Sequence, residues 1–548
     1  MIRTLPLRAQ PQAGESLTSW LCAYARTNNV TWRQILTAVG LHRRRGDMKN
    51  IGWAGYLHTH EINTLAAATA VDTDQLRSMT LHRFQPLGIT AARRPTHIDY
   101  GTLTATARPT RYCPQCLSEN GGRWQLTWLL GWTFACTRHR RLLADTCPRC
   151  GRPPMRAAPL TDVVPDLRFC TQSGGGHGHT VCGADLRGHK RRLAASSAML
   201  AAQHTINTLS AGDTTTFPLY APHTATPARA LADLRALARD MATSYAAPKH
   251  RPGQPNIDTC IDRVADAFTI ATRSLTAPDI TRAAMVIRTF SADAPTSVSA
   301  RLQRAVVTAS SHPRVAAAEL AALDPDLPIA DVLRFRTCTP RPAIPRRPEA
   351  TLTSLARRLP TLLWAPWVTY ILGNDDDSPV IRRMLACAVA HVGTTAPTAA
   401  IATMLGNTAR DAAVVYAALR SLAECPSRSA VAGRIIELAD HLAATPARID
   451  YHRRRRLDYT DLLADRRSGT PVAFDALRCL AFEHLSGLPR AGAPWYRETA
   501  AFARRCHAAA AAGALEEPGV LTSMEEFLQR QGIAEPPVAV PALHVTLL

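Results

Sequence analysis

RYCPQCLSENGGRWQLTWLLGWTFACTRHRRLLADTCPRCG, residues 111–151, decides how the first part of this chain folds. It reads C-x2-C at Cys113 and Cys116, C-x2-H at Cys136 and His139, and C-x2-C at Cys147 and Cys150, with single cysteines following at Cys170 and Cys182. Two donors separated by two residues sit on one tight turn and face one ion, and two such turns complete a tetrahedral zinc shell. The 19 residues between the first two pairs suit a zinc ribbon or treble-clef-like finger. A first site is therefore expected from Cys113, Cys116, Cys136 and His139. The spacing then repeats, since Cys147 to Cys170 is 23 positions, as is Cys113 to Cys136. The fourth donor shifts, because position 173 is Ser173. A second site is expected from Cys147, Cys150, Cys170 and Cys182, with His179 as the competing ligand. Two structural zinc ions per chain are the expected cofactors.

Catalysis finds little to use here. A catalytic zinc keeps an open position beside a general base, and a deaminase-type site needs H-x-E ahead of P-C-x-x-C, which is absent. His139 is followed by Arg140 and Arg141, with no carboxylate in place. Neither H-E-x-x-H, nor a phosphate-binding G-x-x-x-x-G-K-[ST] loop, nor a G-x-S-x-G elbow occurs, so the chain reads as a non-enzyme with no catalytic residue. Trp124, Trp128 and Trp132 are four apart, which predicts one side of a helix that supplies the apolar core a small zinc module otherwise lacks. Cys260, Cys387, Cys479 and Cys506 stand alone and read as core residues.

The charge balance indicates the partner. The 548 residues carry 64 Lys+Arg against 43 Asp+Glu, a formal charge of +21, and only Lys49, Lys190 and Lys249 are lysines. A gene biased toward arginine codons explains that ratio, but not the surplus, which attracts polyanions and above all nucleic acid. The N-terminal MIRTLPLRAQPQAGES lacks the apolar segment of a signal peptide, and the most apolar stretch, residues 361–373, is too short to span a bilayer and contains Pro366. A soluble, cytoplasmic, nucleoid-associated protein is expected, in which 14 cysteines serve metal or core rather than disulfides.

Along the chain the pattern is mainly α, with helical, helix-turn-helix-like domains around a small double zinc-finger (zinc ribbon-like) module. Residues 1–105 form an N-terminal helical domain. Its first helix has apolar Leu17, Trp20, Leu21 and Tyr24 and Ser16 as N-cap; its second is capped by Thr31 and closed by Gly40. Residues 106–190 are the double zinc module and 191–340 a helical middle domain. After the proline-rich TCTPRPAIPRRPEA, a C-terminal helical domain spans 350–535 and a loosely held tail 536–548. Within it PTAAIATMLGNTARDAAVVYAALRSL pairs an Ala-rich helix, a Gly406-Asn407 turn and a second helix from about Ala409, as a DNA-binding helix-turn-helix does. Candidate DNA contacts are Arg43, Arg44 and Arg45, Arg410, and the run Arg453, Arg454, Arg455 and Arg456.

Three pieces of the chain resemble the TniQ/TnsD family of transposon target-selection proteins, over roughly residues 1–210. They are LPLRAQPQAGESLTSWLCAYARTNN near the N-terminus, the 111–151 run with its interleaved tryptophans, and CGADL at Cys182–Leu186. By position the resemblance carries over Cys113, Cys116, Cys136, His139, Cys147, Cys150 and Cys182 as zinc ligands; at Cys170 the usual close cysteine pair is missing. It implies an N-terminal TniQ helical domain and a non-enzymatic adaptor that recognises double-stranded DNA or a targeting complex. Such an adaptor recruits an AAA+ ATPase regulator, which brings in the transposase. The alternatives are a zinc-finger transcription regulator and a protein-bridging scaffold without DNA specificity of its own.

Overall fold

The first helices begin where their capping side chains place them. In a computed structural model, which describes residues 7–41, 55–88, 111–154, 162–172, 181–189, 194–244, 261–291, 302, 312–345, 349–374, 378–422, 427–466 and 471–537, α1 spans Leu17–Thr27 and the Ser16 hydroxyl accepts the Ser19 amide at 3.3 Å. Helix α2, Trp32–Ala38, opens on a reciprocal capping box: Thr31 accepts from the Gln34 amide and the Gln34 side chain accepts from the Thr31 amide. Gly40, at φ +72°, supplies the left-handed residue that ends it. Two further short helices follow, α3 (Thr59–Thr69) and α4 (Thr73–Ser78), and then a 3-10 turn at Leu81–Leu87.

These helices share their core with the cysteine-rich segment. Leu17, Trp20, Leu21 and Ile35 are buried in one cluster with Tyr112, Leu117, Trp124, Trp128 and Leu186. The seam between them is hydrogen-bonded as well as packed. Ser16 N donates to Trp124 O at 2.9 Å, Trp124 N to Ser19 Oγ at 2.8 Å, and Leu126 N to Gly14 O at 2.8 Å. At its centre the Glu15 carboxylate, fully buried, accepts from Ser19 Oγ at 2.7 Å and from Arg123 Nη1 at 2.7 Å. The E-S-x-x-S-W-L helix and the first tryptophan are thus two halves of one joint. Among the described residues, the segments 1–105 and 106–190 do not have separate cores.

The three tryptophans are buried, as core residues should be, but they do not line one helix. Residues Leu126–Leu129 form only a 3-10 turn. Side chains take up several backbone groups beyond it: the buried Arg111 donates to Gly131 O and Thr133 O, and Gln203 Oε1 accepts from Phe134 N and Ala135 N. Trp124 and Trp128 meet edge to face at 5.6 Å in the first core, while Trp132 enters a second one. That second core packs Phe84, Trp132 and Phe134 against α6 (Ser197–Ala211), α7 (Pro227–Ser244), α8 (Ile261–Leu275), α9 (Ile280–Ser291) and α10 (Pro313–Leu323).

The chain divides into two units, Met1–Ala322 and Leu323–Leu548, so the proline-rich stretch belongs inside the second unit and is not its border. Local bonds fold its described part, 337–345, back. After α11 (Ile329–Phe335), Arg336 pairs with Asp440, Thr337 Oγ1 donates to Asp324, and Ala343 N donates to Phe335 O. Helices α12 (Glu349–Arg358) and α13 (Ala365–Leu372) lead to a three-helix group: α14 (Pro379–His391), α15 (Thr398–Met404) and α16 (Ala409–Ser421). Helix α17 (Arg428–Ala444) and the single turn α18 (Tyr451–Arg454) precede a last cluster. There α19 (Pro471–Ser486), α20 (Ala500–Ala511) and α21 (Pro518–Arg530) enclose Tyr459, Phe482 and Phe527, with Cys479 and Cys506 in the core. Cys387 of α14 is likewise buried, while Cys260 lies outside the described residues. Among the described residues no helix is long and apolar enough to cross a membrane.

Two outcomes test this packing. Glu15→Ala leaves the Arg123 guanidinium, 13 % exposed, without its carboxylate and is expected to cost about 3 kcal/mol, read by chemical unfolding. In the second unit, burial and then the Arg334 charge hold His391 down at about 4, while its Nε2 meets Thr398 Oγ1 at 2.8 Å. The unfolded chain takes up a proton below its ordinary value of 6.5 that the folded state refuses. Stability should therefore fall as pH drops from about 6.5 to about 4, by on the order of 3 kcal/mol, and His391→Gln should flatten that decline.

Candidate metal centres

Each expected ligand pair sits on its own tight turn. Cys113 precedes α5 (Pro114–Glu119), whose first residue, Pro114, has the fixed φ a helix start needs, and Cys116 follows one turn later. Cys136 ends β1 (Ala135–Cys136), which pairs antiparallel with β2 (Arg141–Leu142), so the loop between them carries His139. Arg140, at φ +50°, makes the hairpin tight enough to turn the imidazole back toward Cys136. The His139 amide points at Cys136 Sγ at 3.4 Å, a bond that favours the thiolate.

The four donor atoms converge. His139 Nδ1 lies 3.4 Å from Cys113 Sγ, 3.3 Å from Cys116 Sγ and 3.5 Å from Cys136 Sγ, and Cys116 and Cys136 Sγ are 3.7 Å apart. Zn–S bonds near 2.3 Å and Zn–N bonds near 2.0 Å in a tetrahedron put S···S edges at about 3.8 Å and S···N edges at about 3.5 Å. The observed edges match those of such a shell, so the cluster could hold a zinc ion. His139 Nε2 meets Glu119 Oε1 at 2.8 Å, which holds the ring with Nδ1 toward the sulfurs. Glu119, on α5 three residues after Cys116, is the functional residue that motif spacing did not disclose; only its place on the helix that carries two ligands hints at it.

The second cluster consists of Cys147, Cys150, Cys170 and Cys182, whose sulfurs gather within 4.8 Å of one another. Cys147 and Cys182 Sγ are 3.7 Å apart and Cys150 and Cys170 Sγ 3.8 Å, again tetrahedral edges. Gly151, at φ +66°, closes the first turn, and the Arg149 amide points at Cys147 Sγ at 3.4 Å. Backbone pairing brings the two later cysteines in: Phe169 bridges Asp185, Cys170 N donates to Ala184 O, and Gly183 N to Cys170 O. Burial opposes ionisation at Cys150, but the Arg152 amide and the neighbouring thiols outweigh it and pull the thiol down to about 7. Cys170 thus takes its place in the set, and His179 lies outside the described residues. Both clusters have four protein donors and no carboxylate among them, the make-up of a site that shapes the chain.

The candidate DNA contacts fare unequally. Arg43, Arg44 and Arg45 lie outside the described residues. Arg410, Arg453 and Arg456 are exposed. Arg454 is a correction: it is fully buried, with Nε on Glu535 at 3.1 Å, Nη1 on Pro537 O at 3.0 Å and Nη2 on Pro536 O at 2.6 Å. Arg455 also turns inward, donating to Leu359 O. Consecutive residues on a helical turn point about 100° apart, so a run of four cannot share one surface. The same bonds tie down the start of the C-terminal tail, of which 538–548 lie outside the described residues. A cavity of about 630 Å³ in the second unit places Glu483 between Arg382 and Arg490, and burial holds His484 below its ordinary range.

A family model described as TniQ matches residues 6–143. The match covers the capped helices, the Glu15 joint and all four ligands of the first cluster, and it bears out the family resemblance over that segment. No curated protein matches the chain. The likeness implies a transposition-associated adaptor role.

Metal analysis of the full chain is expected to return two ions. Cys113→Ser and Cys147→Ser should each remove one ion and the folded first unit with it, because structural zinc contributes on the order of 10 kcal/mol to folding. One ion per chain, or either variant folding as well as the parent, would contradict this.

Proposed function

With residues 6–143 TniQ-like, we propose that this chain is a non-enzymatic, DNA-binding adaptor that selects the target site for transposition. It recruits an AAA+ ATPase regulator and, through it, the transposase. The observation that carries the reading is the TniQ likeness over residues 6–143, which takes in the greater part of one continuous core together with a complete Cys3His cluster. Zinc in both clusters supplies shape: it holds two hairpin-like turns and the helices packed on them, and it takes no part in bond making. The donor sets support that role, since four protein ligands fill a tetrahedral shell.

Double-stranded DNA is the partner the charge favours. The +21 surplus is almost wholly arginine, whose planar fork suits phosphate and guanine alike. Arg410, Arg453 and Arg456, together with the basic run at Arg43, Arg44 and Arg45, are the contacts proposed. Arg454 and Arg455 are withdrawn from that set by their inward bonds.

Binding of duplex DNA should weaken steeply as salt rises, because each neutralised phosphate releases condensed counterions. In a gel-shift series, Arg453→Ala with Arg456→Ala should reduce the slope of log affinity against log salt by about 2, since each phosphate contact contributes about 0.9. Absence of any DNA binding at low salt would sink the direct-binding reading and leave a scaffold that bridges proteins.

A further inference from the structure

We infer that α16 is the helix through which this chain reads base sequence, by entering the major groove of duplex DNA; the inference rests on the DNA-binding reading above. Helices α15 and α16 are joined by residues 405–408. Gly406, at φ +85°, makes the left-handed turn, and a Cβ there would press to 3.1 Å on Arg455 Cδ and Leu488 Cδ2. Asn407 is buried and pins the turn, its backbone N and its Nδ2 both donating to Ala402 O at 2.9 and 3.0 Å. Thr408 then starts α16 with a capping box to Asp411. Helix α14 braces both: Arg383 pairs with Asp411, and His391 meets Thr398. One helix carried rigidly by two others is the form in which a helix is delivered to a groove about 12 Å wide.

The two sides of α16 differ in chemistry. Ala412, Val415 and Leu419 face the core. Arg410, Ala413, Val414 and Ala417 recur at helical spacing on the other side and are exposed, with Tyr416 and Arg420 beside them. Among the described residues of the second unit, the exposed large apolar side chains are Val380, Val414 and Tyr416, all on α14 or α16. Val414 lies on that outward side and Tyr416 at its flank, so the side that α16 leaves uncovered is part apolar. Its charge selects the partner. The one carboxylate of α16, Asp411, is engaged by Thr408 and Arg383, so the outward face presents two guanidiniums and no acid. Ala413 and Ala417 let the helix backbone come close, and Val414 offers an apolar contact for a thymine methyl. Arg410, in the first turn, stands where such helices reach base edges and has the fork for guanine O6 and N7; Arg420, at the far end, suits a phosphate.

The test uses the full chain and a duplex library with a randomised core. Selection should enrich a preferred site. The double variant Arg410→Ala with Val414→Ser, both at exposed positions, should bind that site at least about tenfold more weakly while its affinity for unselected duplex changes less than about threefold. Retained metal content and helical signal confirm that the variant is folded. Arg453→Ala with Arg456→Ala, by contrast, should weaken both duplexes alike. If the α16 variant keeps the parent's site preference, the inference is overturned and the DNA-binding reading survives. If it keeps that preference but no longer captures the AAA+ ATPase, the face is a protein interface and the inference again fails. If the parent retains no duplex at low salt, both fall.

Discussion

The convergence of four donor atoms to within one tetrahedron is the constraint on which the first unit is built. A side chain can reach such a point only if its turn is held at a fixed distance and angle from the other turns. For the first cluster that means a helix start at Pro114, a two-residue strand ending at Cys136, and a left-handed Arg140 in the loop that follows it. Those elements are too short to be stable alone. Their apolar residues, Tyr112, Leu117, Trp124 and Trp128, find burial against α1 and α2 instead. The Cys3His cluster and the helical core therefore require each other.

The Glu15 joint shows how that dependence is made specific. Burial drives the Glu15 carboxyl up, and the Gln12 amide, the Ser19 hydroxyl and the Arg123 guanidinium pull the other way without fully offsetting it. A buried pair of this kind adds little net stability, but it leaves few other ways to dock α1 on the cysteine-rich segment. A sliding α1 would strand a charge away from water. The E-S-x-x-S-W-L pattern is thus explained by register: Ser16 caps, Glu15 and Ser19 bond across the seam, and Trp20 Nε1 reaches Ala9 O at 2.7 Å.

The second unit is organised by other means. Ion pairs, most of them partly buried, join its elements: Arg336 to Asp440, Arg383 to Asp411, Arg454 to Glu535. Much of the arginine content that looks like a nucleic-acid footprint is thereby turned inward to carbonyls and carboxylates. What is left outside is a smaller set, and Arg410 and Arg420 of it stand on the exposed side of α16.

Local chemistry was legible in the chain alone: the caps at Ser16 and Thr31, the turns at Gly40 and Gly406, and the eight residues of the two Cys/His clusters, because short-range spacing governs turns and turns carry ligands. The predicted tryptophan helix failed because spacing says nothing of Arg111 and Gln203, which claim the backbone between Trp128 and Cys136 from far along the chain. The arginine run misled for a related reason, since a count of charges holds no record of where helical rotation points each one. The shared core of residues 9–186, the Glu119 support for His139 and the inward turn of Arg454 all join residues remote in sequence. Such contacts depend on which surfaces are left to bury once the local elements exist, and that is settled only when the chain packs.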